Sequence, residues 1–276
     1  MITIFLLISS AGMNTLLMPA SAKGMLTYYS SSAGDEAIFY NPAMFYAPKD
    51  FHLSAFYSNI YLSMKNLNLA LSRKLNNVDF GISLMNFDYG PIMAKPDYPT
   101  SDSSGFYTAT DFYVGLCASK AITTNGRLGM KLKYLYENLY IYSGATVAID
   151  LSLAYITQNH AITTGATNMG GTMKIASETV NLPTKLSIGY YRKIEKITLS
   201  IDLHYLINDS RFEFAIAGEM KLTDNFYIGI AMNYRDYFYP GFYLSLKHRS
   251  INISYGTSIY PYNLGMINTI GISFIF

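Results

Sequence analysis

The chain ends in the sequence Gly265-Met266-Ile267-Asn268-Thr269-Ile270-Gly271-Ile272-Ser273-Phe274-Ile275-Phe276. Side chains of a β-strand alternate between two faces. One face of this segment carries Ile270, Ile272, Phe274 and Phe276, whereas the other carries Thr269, Gly271 and Ser273, with Ile275 as the exception. A complete strand that is apolar on one side, small or polar on the other and ends on an aromatic residue is typical of a transmembrane β-barrel.

The same alternation recurs along the chain from Phe51 onward. In residues 145–155, for example, Val147, Ile149 and Leu151 share one face, and Asp150 and Ser152 lie on the other. Charged residues fall on the polar face in each of the five clearest segments, which are 127–136, 145–155, 197–205, 212–222 and 226–234. A helical period would scatter those charges around the element, so the pattern predicts strands.

The alternation predicts an all-β fold, an antiparallel transmembrane barrel of fourteen strands. The predicted strands are residues 51–58, 65–73, 78–87, 108–119, 127–137, 145–156, 161–168, 184–192, 196–206, 211–222, 225–235, 241–248, 250–257 and 265–276. Twelve strands remain an alternative, because residues 161–168 alternate weakly. Tight turns such as Asn76-Asn77 alternate with mostly longer connections, notably 88–107 and 169–183. An even strand count with short turns on one rim is typical of bacterial outer-membrane barrels, and predicts that both termini are periplasmic.

A soluble β-sandwich is the main alternative to a membrane barrel, because it also alternates apolar and polar residues. Its polar face would meet bulk water and would be rich in Lys and Glu. Here that face is mostly Gly, Ala, Ser, Thr and Asn, and only 14% of all residues are charged, against roughly a quarter in ordinary proteins. The composition therefore favours the interior of a narrow barrel in the outer membrane.

Residues 1–22 are the only long uncharged apolar stretch of the chain. They contain Ser9, Ser10, Gly12 and Asn14, and they end in Ala20-Ser21-Ala22, which resembles a signal-peptidase site. We therefore expect a signal peptide at 1–22, with an uncleaved anchor as the alternative. The segment lacks the usual Lys or Arg near its start, so the true translation start could lie upstream.

Several classes of function lack support in the sequence. The net charge of +2 does not suggest a nucleic-acid-binding protein. Cys117 is the only cysteine, and the four histidines lie apart without metal-ligand spacing. We find no catalytic motif, so we predict neither an enzyme nor a bound metal or cofactor.

The polar face of the predicted strands places charged side chains inside the barrel. These lumen-facing residues are Arg127, Lys131, Lys133, Asp150, Lys185, Asp202, His204, Glu213, Glu219 and Lys221. Their mixed signs favour pairing with one another and with a plug, because an unpaired buried charge is costly. A polar pathway for solutes is the alternative interpretation.

Residues 23–48 do not alternate and precede the barrel at 49–276. Within them, residues 35–43 read Asp-Glu-Ala-Ile-Phe-Tyr-Asn-Pro-Ala, which is similar to the N-terminal signature of FadL-type barrels and especially of the PorV/PorQ family. Weaker similarities follow in order at 148–153, 167–174, 181–190 and 200–203. The family's Gly-rich stretch is replaced here by residues 28–34. The resemblance implies a fourteen-stranded barrel with a luminal hatch at 23–48 that includes Asp35, Glu36, Asn41 and Pro42; a periplasmic lead-in packed on the barrel mouth is the alternative.

Two functions of different class follow from the resemblance. The PorV/PorQ likeness implies a barrel of type IX secretion, with another barrel or a secreted cargo as partner; the modest loops favour this reading. The FadL likeness implies instead a transporter of hydrophobic small molecules, such as long-chain fatty acids, that pass the hatch and leave sideways through the wall. In both cases the partners include outer-membrane lipid. Phe274 and Phe276 resemble the C-terminal signal that barrel assembly machinery recognises.

Overall fold

A computed structural model describes residues 12–27, 29–30, 33–93, 105–261 and 265–276. The described strands are β1 His52–Asn59, β2 Lys65–Leu75, β3 Val78–Asp88, β4 Ile92–Met93, β5 Phe106–Tyr107, β6 Ala109–Ala121, β7 Gly126–Leu139, β8 Tyr142–Ile156, β9 His160–Gly170, β10 Met173–Ile175, β11 Glu178–Val180, β12 Lys185–Ile194, β13 Ile197–Leu206, β14 Arg211–Lys221, β15 Phe226–Arg235, β16 Tyr237–His248, β17 Ile251–Tyr260 and β18 Gly265–Ile275. Fourteen of them form one closed antiparallel barrel, and β4–β5 and β10–β11 form two small hairpins beside it. The predicted fold class is confirmed, which excludes the sandwich.

The barrel closes where the last strand pairs with the first. β18 lies antiparallel to β1, with Ile275 opposite His52 and Asn268 opposite Asn59. The weakly alternating segment 161–168 is a full barrel strand, β9, paired with both β8 and β12. The alternative of twelve strands is therefore wrong.

The two rims of the barrel carry different connections. The turn rim holds the predicted tight turns, among them Asn76-Asn77, and also the start of β1 and the end of β18. The opposite loop rim carries residues 89–108 and 171–184, of which 94–104 lie outside the described residues. Not every loop-rim connection is long, however: Tyr140 and Asp236 adopt positive φ angles of 63° and 68°, which allow β7–β8 and β15–β16 to turn within one or two residues.

The wall separates an apolar outer face from a polar inner face, as the alternation predicts. On β18 the outward Ile270 is 60% exposed, whereas Thr269 is fully buried inside. Large apolar side chains such as Leu153, Leu199 and Ile230 are exposed on the outer face. Such a continuous apolar belt would be unfavourable in water and suits contact with lipid chains. No helix among the described residues is long and apolar enough to cross a membrane.

The interior of the barrel is filled by the chain that precedes β1. We call the described residues between 12 and 48 the luminal segment. It contains four short 3-10 turns, Asn14–Leu17, Lys23–Met25, Glu36–Phe39 and Pro42–Met44, and its side chains are largely buried. The predicted hatch, residues 23–48, thus forms only part of what occupies the lumen, because residues 12–22 lie there too.

Candidate functional site

The luminal segment and the inner wall together form the candidate functional site. Two inward glycines show how closely the two surfaces meet. A methyl group on Gly129 of β7 would lie 2.1 Å from the carbonyl carbon of Pro42, and one on Gly256 of β17 would lie 2.2 Å from the carbonyl oxygen of Ala22. Only glycine leaves room for the segment's backbone at these two positions.

Arg127 anchors the end of the luminal segment to the wall near the turn rim. Its guanidinium pairs with Asp79 of β3 at 2.7 Å and donates hydrogen bonds to the carbonyl oxygens of Ala43 at 3.1 Å and Phe45 at 2.9 Å. The same group stacks 3.9 Å from the ring centroid of Tyr46. One buried cation therefore binds the wall and the segment at once.

Two of the predicted hatch residues order the chain just before this anchor. Asn41 donates to the carbonyl oxygen of Tyr29 at 3.0 Å, and its side-chain oxygen accepts from the Ala43 amide at 3.2 Å. Pro42 opens the turn that packs on the wall. The Ala43 amide also donates to Ser152 of β8 at 2.7 Å.

The other two predicted hatch residues, Asp35 and Glu36, lie close to the turn rim. Asp35 forms an ion pair of 3.4 Å with His52 if that histidine is protonated, and it accepts a hydrogen bond from Ser54 at 3.1 Å. Glu36 is buried, and one of its carboxylate oxygens has no hydrogen-bond partner in the part of the chain that the structure describes. Burial, together with the neighbouring Asp35 charge, raises the pKa of Glu36 to about 7.

The predicted lumen-facing lysines of β7 lie halfway along the lumen. Lys133 pairs with Asp150 of β8 at 2.7 Å and also donates to Asn168. Lys131, 1% exposed, donates to the carbonyl oxygen of Ile38 at 2.9 Å and lies 4.8 Å from the ring centroid of Tyr113. Among the described residues Lys131 has no carboxylate partner within ion-pair distance. Its charge is instead solvated by backbone and aromatic groups.

On the opposite side of the lumen, polar residues hold the middle of the luminal segment. Asp202 of β13 accepts hydrogen bonds from the backbone amides of Tyr29 at 2.8 Å and Ser30 at 3.0 Å. Ser200 on the same strand shares a 2.5 Å hydrogen bond with Thr27. His204 contacts Ser187 through Nδ1 at 2.8 Å, and Lys185 is buried beside this group.

The remaining predicted lumen residues lie nearer the rims. Glu213 pairs with Arg235 at 2.6 Å, and Arg235 in turn donates to the carbonyl oxygen of Leu17. Glu219 pairs with Lys23 of the luminal segment at 3.0 Å. Lys221 differs from the prediction: it pairs with Asp224 in the exposed turn that follows β14. It lies at the turn rim rather than inside the lumen, because its strand ends there.

An apolar layer fills the half of the lumen that is nearer the loop rim. Its buried members come from the luminal segment, the barrel strands and the β10–β11 connection: Met13, Met25, Ile60, Met85, Phe87, Ala109, Tyr113, Leu135, Leu139, Ala148, Met173, Ile175, Leu182, Tyr239, Tyr260 and Ile267. Met173 and Ile175 of β10 are fully buried against this layer, so the hairpin covers the lumen at the loop rim.

Free space between the luminal segment and the wall is small in the middle of the lumen and larger at the turn rim. Two open cavities of about 510 and 620 Å³ lie at that rim, and both are lined by Lys23 of the segment and by Glu219 and Tyr227 of the wall. The middle of the lumen is much tighter. A cavity of about 30 Å³ is lined by Leu16, Met18, Phe39, Met85 and Lys131, among others. A water molecule needs roughly 10–15 Å³ on this measure, and ligand pockets are about 300–1,000 Å³. Passage of a solute would therefore require the luminal segment to move.

An apolar groove of about 650 Å³ lies on the outer wall beside an irregular strand pair. Leu151 of β8 faces Ala166 of β9, but two residues earlier Ile149 faces Met169, so β9 holds one extra residue. Asn168 lies in this bulge with a φ of 57°. The small outward residues Thr164 and Ala166 leave the groove open.

Three buried acidic residues were not among the lumen-facing residues predicted from the sequence. They are Asp79, Asp111 and Glu137, which are fully buried inside the lumen. Each lies at an inward position of an alternating strand, close to its end, and this position could have identified them.

Within the described residues, no group of three or more His, Cys, Asp or Glu side chains could hold a metal ion. The assembly-signal residues lie apart from the lumen: Phe276 is exposed at the turn rim and stacks on Phe51, and Phe274 is half-buried on the outer face of β18.

No family model and no curated protein matches this chain. Solved structures do match it. TbuX, a toluene transporter of Ralstonia pickettii, has a TM-score of 0.68 at 10% identity, covering 94% of this chain and 100% of that chain. TodX, a toluene transporter of P. putida, has a TM-score of 0.67 at 12% identity, covering 93% and 98%. A FadL homologue of Pseudomonas aeruginosa has a TM-score of 0.62 at 9% identity, also covering 93% and 98%.

These comparisons do not support the finer resemblance to PorV and PorQ. At such low identities they establish the fold and no more: the chain has the FadL-like barrel fold of these transporters.

Proposed function

We propose that this protein is an outer-membrane channel for small hydrophobic molecules, with the luminal segment as its gate and the C-terminus on the periplasmic side. The expected periplasmic N-terminus is not kept, because the described chain begins at Gly12, inside the lumen near the loop rim. The observation that carries the proposal is the filled lumen, in which a separate piece of chain closes the barrel and meets an apolar layer near the loop rim. Two of the structures that share the fold are described as toluene transporters. An apolar layer suits solutes of that class because it offers few hydrogen-bonding groups.

Locking the luminal segment tests this gate. The Thr27 and Ser200 side-chain oxygens are 2.5 Å apart, so cysteines at both positions would form a disulfide between segment and wall. The background variant is Cys117→Ser, which removes the natural thiol. Ser58→Cys with Thr269→Cys is a matched control, because those oxygens are 2.7 Å apart but join two wall strands, β1 and β18.

The measurement is uptake of radiolabelled toluene and of a radiolabelled long-chain fatty acid. Cells with an intact lipopolysaccharide layer are needed, because plain lipid vesicles leak such solutes. We expect oxidation to reduce uptake at least fivefold in the Thr27–Ser200 variant, with recovery after reduction and no change in the control. If cells with the unmodified protein take up these solutes no faster than cells without it, the proposal is contradicted. Crosslinking of the protein to another barrel or to a secreted protein would favour the secretion function instead.

The groove beside the β8–β9 bulge supports a sideways exit through the wall. Ala166→Trp would fill the groove, whereas Ile230→Trp would add the same ring to the outward face of β15. We expect only Ala166→Trp to slow uptake. Since the natural chain has no tryptophan, the fluorescence of each variant also reports whether a quenching ligand reaches that face. Equal uptake by the two variants would argue against an exit at this groove.

A further inference from the structure

Two acidic side chains lie together in the apolar layer near the loop rim. Asp111 of β6 and Glu137 of β7 are direct partners in the strand register, and both point into the lumen. Both are 0% exposed. Two carboxylates in such a place repel each other and are costly to bury without a cation.

Among the described residues, the groups around this pair supply hydrogen bonds but no positive charge. Asp111 accepts hydrogen bonds from Thr15 and, at 3.0 Å, from the hydroxyl of Tyr89, both through one oxygen. Its other oxygen, Oδ1, has no hydrogen-bond partner among the described residues, and neither has Oε1 of Glu137. Neither residue forms an ion pair with any described Lys, Arg or His. Within the described part of the chain, the pair therefore has no counter-ion and keeps two acceptor oxygens without a donor.

The first described residue of the chain lies at this pair. The backbone nitrogen of Gly12 is 2.9 Å from Oε2 of Glu137. Gly12 also packs tightly against the loop-rim connection that follows β11, since a methyl group there would lie 2.7 Å from the carbonyl oxygen of Asn181. As an ordinary amide this nitrogen carries one proton and no charge. As a chain terminus it would be an ammonium group with three donors.

The sequence before Gly12 suits cleavage at this point. Residues 2–8 are apolar apart from Thr3, and Ser9-Ser10-Ala11 places small residues at the first and third positions before Gly12. Small residues at these two positions are typical of a signal-peptidase site. Because a signal peptide usually spans about 15–30 residues and starts with a positive charge, cleavage here goes together with a translation start upstream of Met1. The same pattern occurs at Ala20-Ser21-Ala22, so the sequence alone does not choose between the two sites.

We propose that the leader is removed between Ala11 and Gly12, and that the new α-ammonium group of Gly12 is the counter-ion of Asp111 and Glu137. Hydrolysis of that peptide bond leaves the carboxylate on Ala11 and the amine on Gly12, which takes up a proton from water. The inference does not depend on what the channel transports.

The packing of residues 12–22 argues against the later cleavage site. Ala22 is fully buried against Gly256, and the Tyr40 hydroxyl accepts hydrogen bonds from the backbone amides of Ala20 and Ser21 at 2.8 Å. Thr15 is bound to Asp111. Cleavage after Ala22 would remove all of these contacts and leave the acidic pair facing an emptied part of the lumen.

The cleavage site is tested on the full chain expressed from its natural start. N-terminal sequencing of protein from outer membranes should give Gly12 as the first residue. Ala11→Leu should block processing and accumulate the precursor in pulse-labelled cells, whereas Ala22→Leu should be processed like the natural chain, because processing precedes folding. A mature chain that begins at Lys23, or the reverse result for the two variants, would overturn the proposal.

The ion pair is tested by the reactivity of the Gly12 amine. At pH 7 a reagent selective for α-amines should label the folded protein at least tenfold more slowly than the unfolded protein. Asp111→Asn with Glu137→Gln should remove most of that protection, while Glu219→Gln, which breaks the separate ion pair with Lys23, should retain it. A Gly12 terminus that is labelled equally fast in folded and unfolded protein would overturn the counter-ion role.

Discussion

At the scale of single residues, buried charges position the luminal segment. Arg127 is the clearest case, because its one guanidinium binds Asp79 and two carbonyl oxygens of the segment. A charge inside a narrow lumen is stable only when its partners are in place. The alternation predicted that Arg127 points inward, but its partners come from β3 and from residues 43–46, which only the folded chain brings together.

Replacing Arg127 by Ala should release the end of the luminal segment. Among the described residues, Asp79 would keep Lys74 as its cation, at 3.4 Å, and the Ala47 amide as a donor, at 3.2 Å. Both contact Oδ1 and leave Oδ2 without its partner, so we expect a loss of about 3–5 kcal/mol in the free energy of unfolding. Denaturant titration of the refolded barrel measures this loss. Lys221→Ala is the control, because its ion pair is exposed to solvent at the turn rim and should contribute far less to stability than the buried anchor. Equal losses in the two variants would contradict the anchor role.

Glu36 should make docking of the luminal segment depend on pH. Its pKa is raised from the usual 4.5 to about 7, so the docked state favours the protonated carboxyl. Docking is thus strongest below pH 4.5 and weakens as the pH rises through about 7, where the carboxyl must ionise while buried.

The pH dependence is measured by the labelling of a thiol at Thr27→Cys in the Cys117→Ser background, relative to an exposed thiol at Ser250→Cys. The normalised rate should rise between pH 5 and pH 8, and Glu36→Gln should flatten the rise because glutamine cannot ionise. A rise that persists unchanged in Glu36→Gln would assign the effect to another group.

At the scale of elements, the observed strands agree closely with those predicted from the sequence. All fourteen predicted barrel strands exist, and their ends shift by only a few residues, most at β8 and β16, which begin at Tyr142 and Tyr237. The period-two alternation fixes which face meets lipid, because a slip of one residue would exchange the two faces. The ends of the strands are predicted less well than their faces. Asp236, for example, turns the chain from β15 to β16 in a left-handed conformation, and the alternation does not indicate where such a turn occurs.

A charge on the outward face of a strand should destabilise the barrel. Leu151 and Ile230 lie near the middle of β8 and β15 and are exposed. Arginine at either position should lower the free energy of unfolding in lipid by about 2–4 kcal/mol if it reaches the bilayer centre. Ser250→Arg, in the exposed β16–β17 turn, should change it by less than about 0.5 kcal/mol. Unchanged stability of both outward variants would mean that these faces do not meet lipid.

At the scale of the whole molecule, the barrel and the luminal segment have separate roles. The wall pairs every barrel strand with two neighbours and closes without the segment. Deletion of residues 12–48 should therefore leave a barrel that still assembles but is open. We expect cells carrying the variant to become sensitive to large polar antibiotics, with assembly checked by the heat-dependent shift of the barrel in gel electrophoresis. An assembled variant that stays impermeable would show that the loop-rim hairpin closes the lumen by itself.

The sequence by itself determined the face of each strand and the closing role of β18, because alternation is a local property of consecutive residues. It left fourteen or twelve strands open, and the pairing of β9 with both β8 and β12 decided for fourteen. The contents of the lumen were decided only by the tertiary structure. Residues 12–22 have the composition of a leader peptide, yet they lie in the barrel and contact Asp111, Glu137 and Gly256. Those contacts join residues roughly 100 or more positions apart. The arrangement of charges around them depends on the register of the strand pairs and on the closure of the barrel, so no local sequence pattern predicts that arrangement.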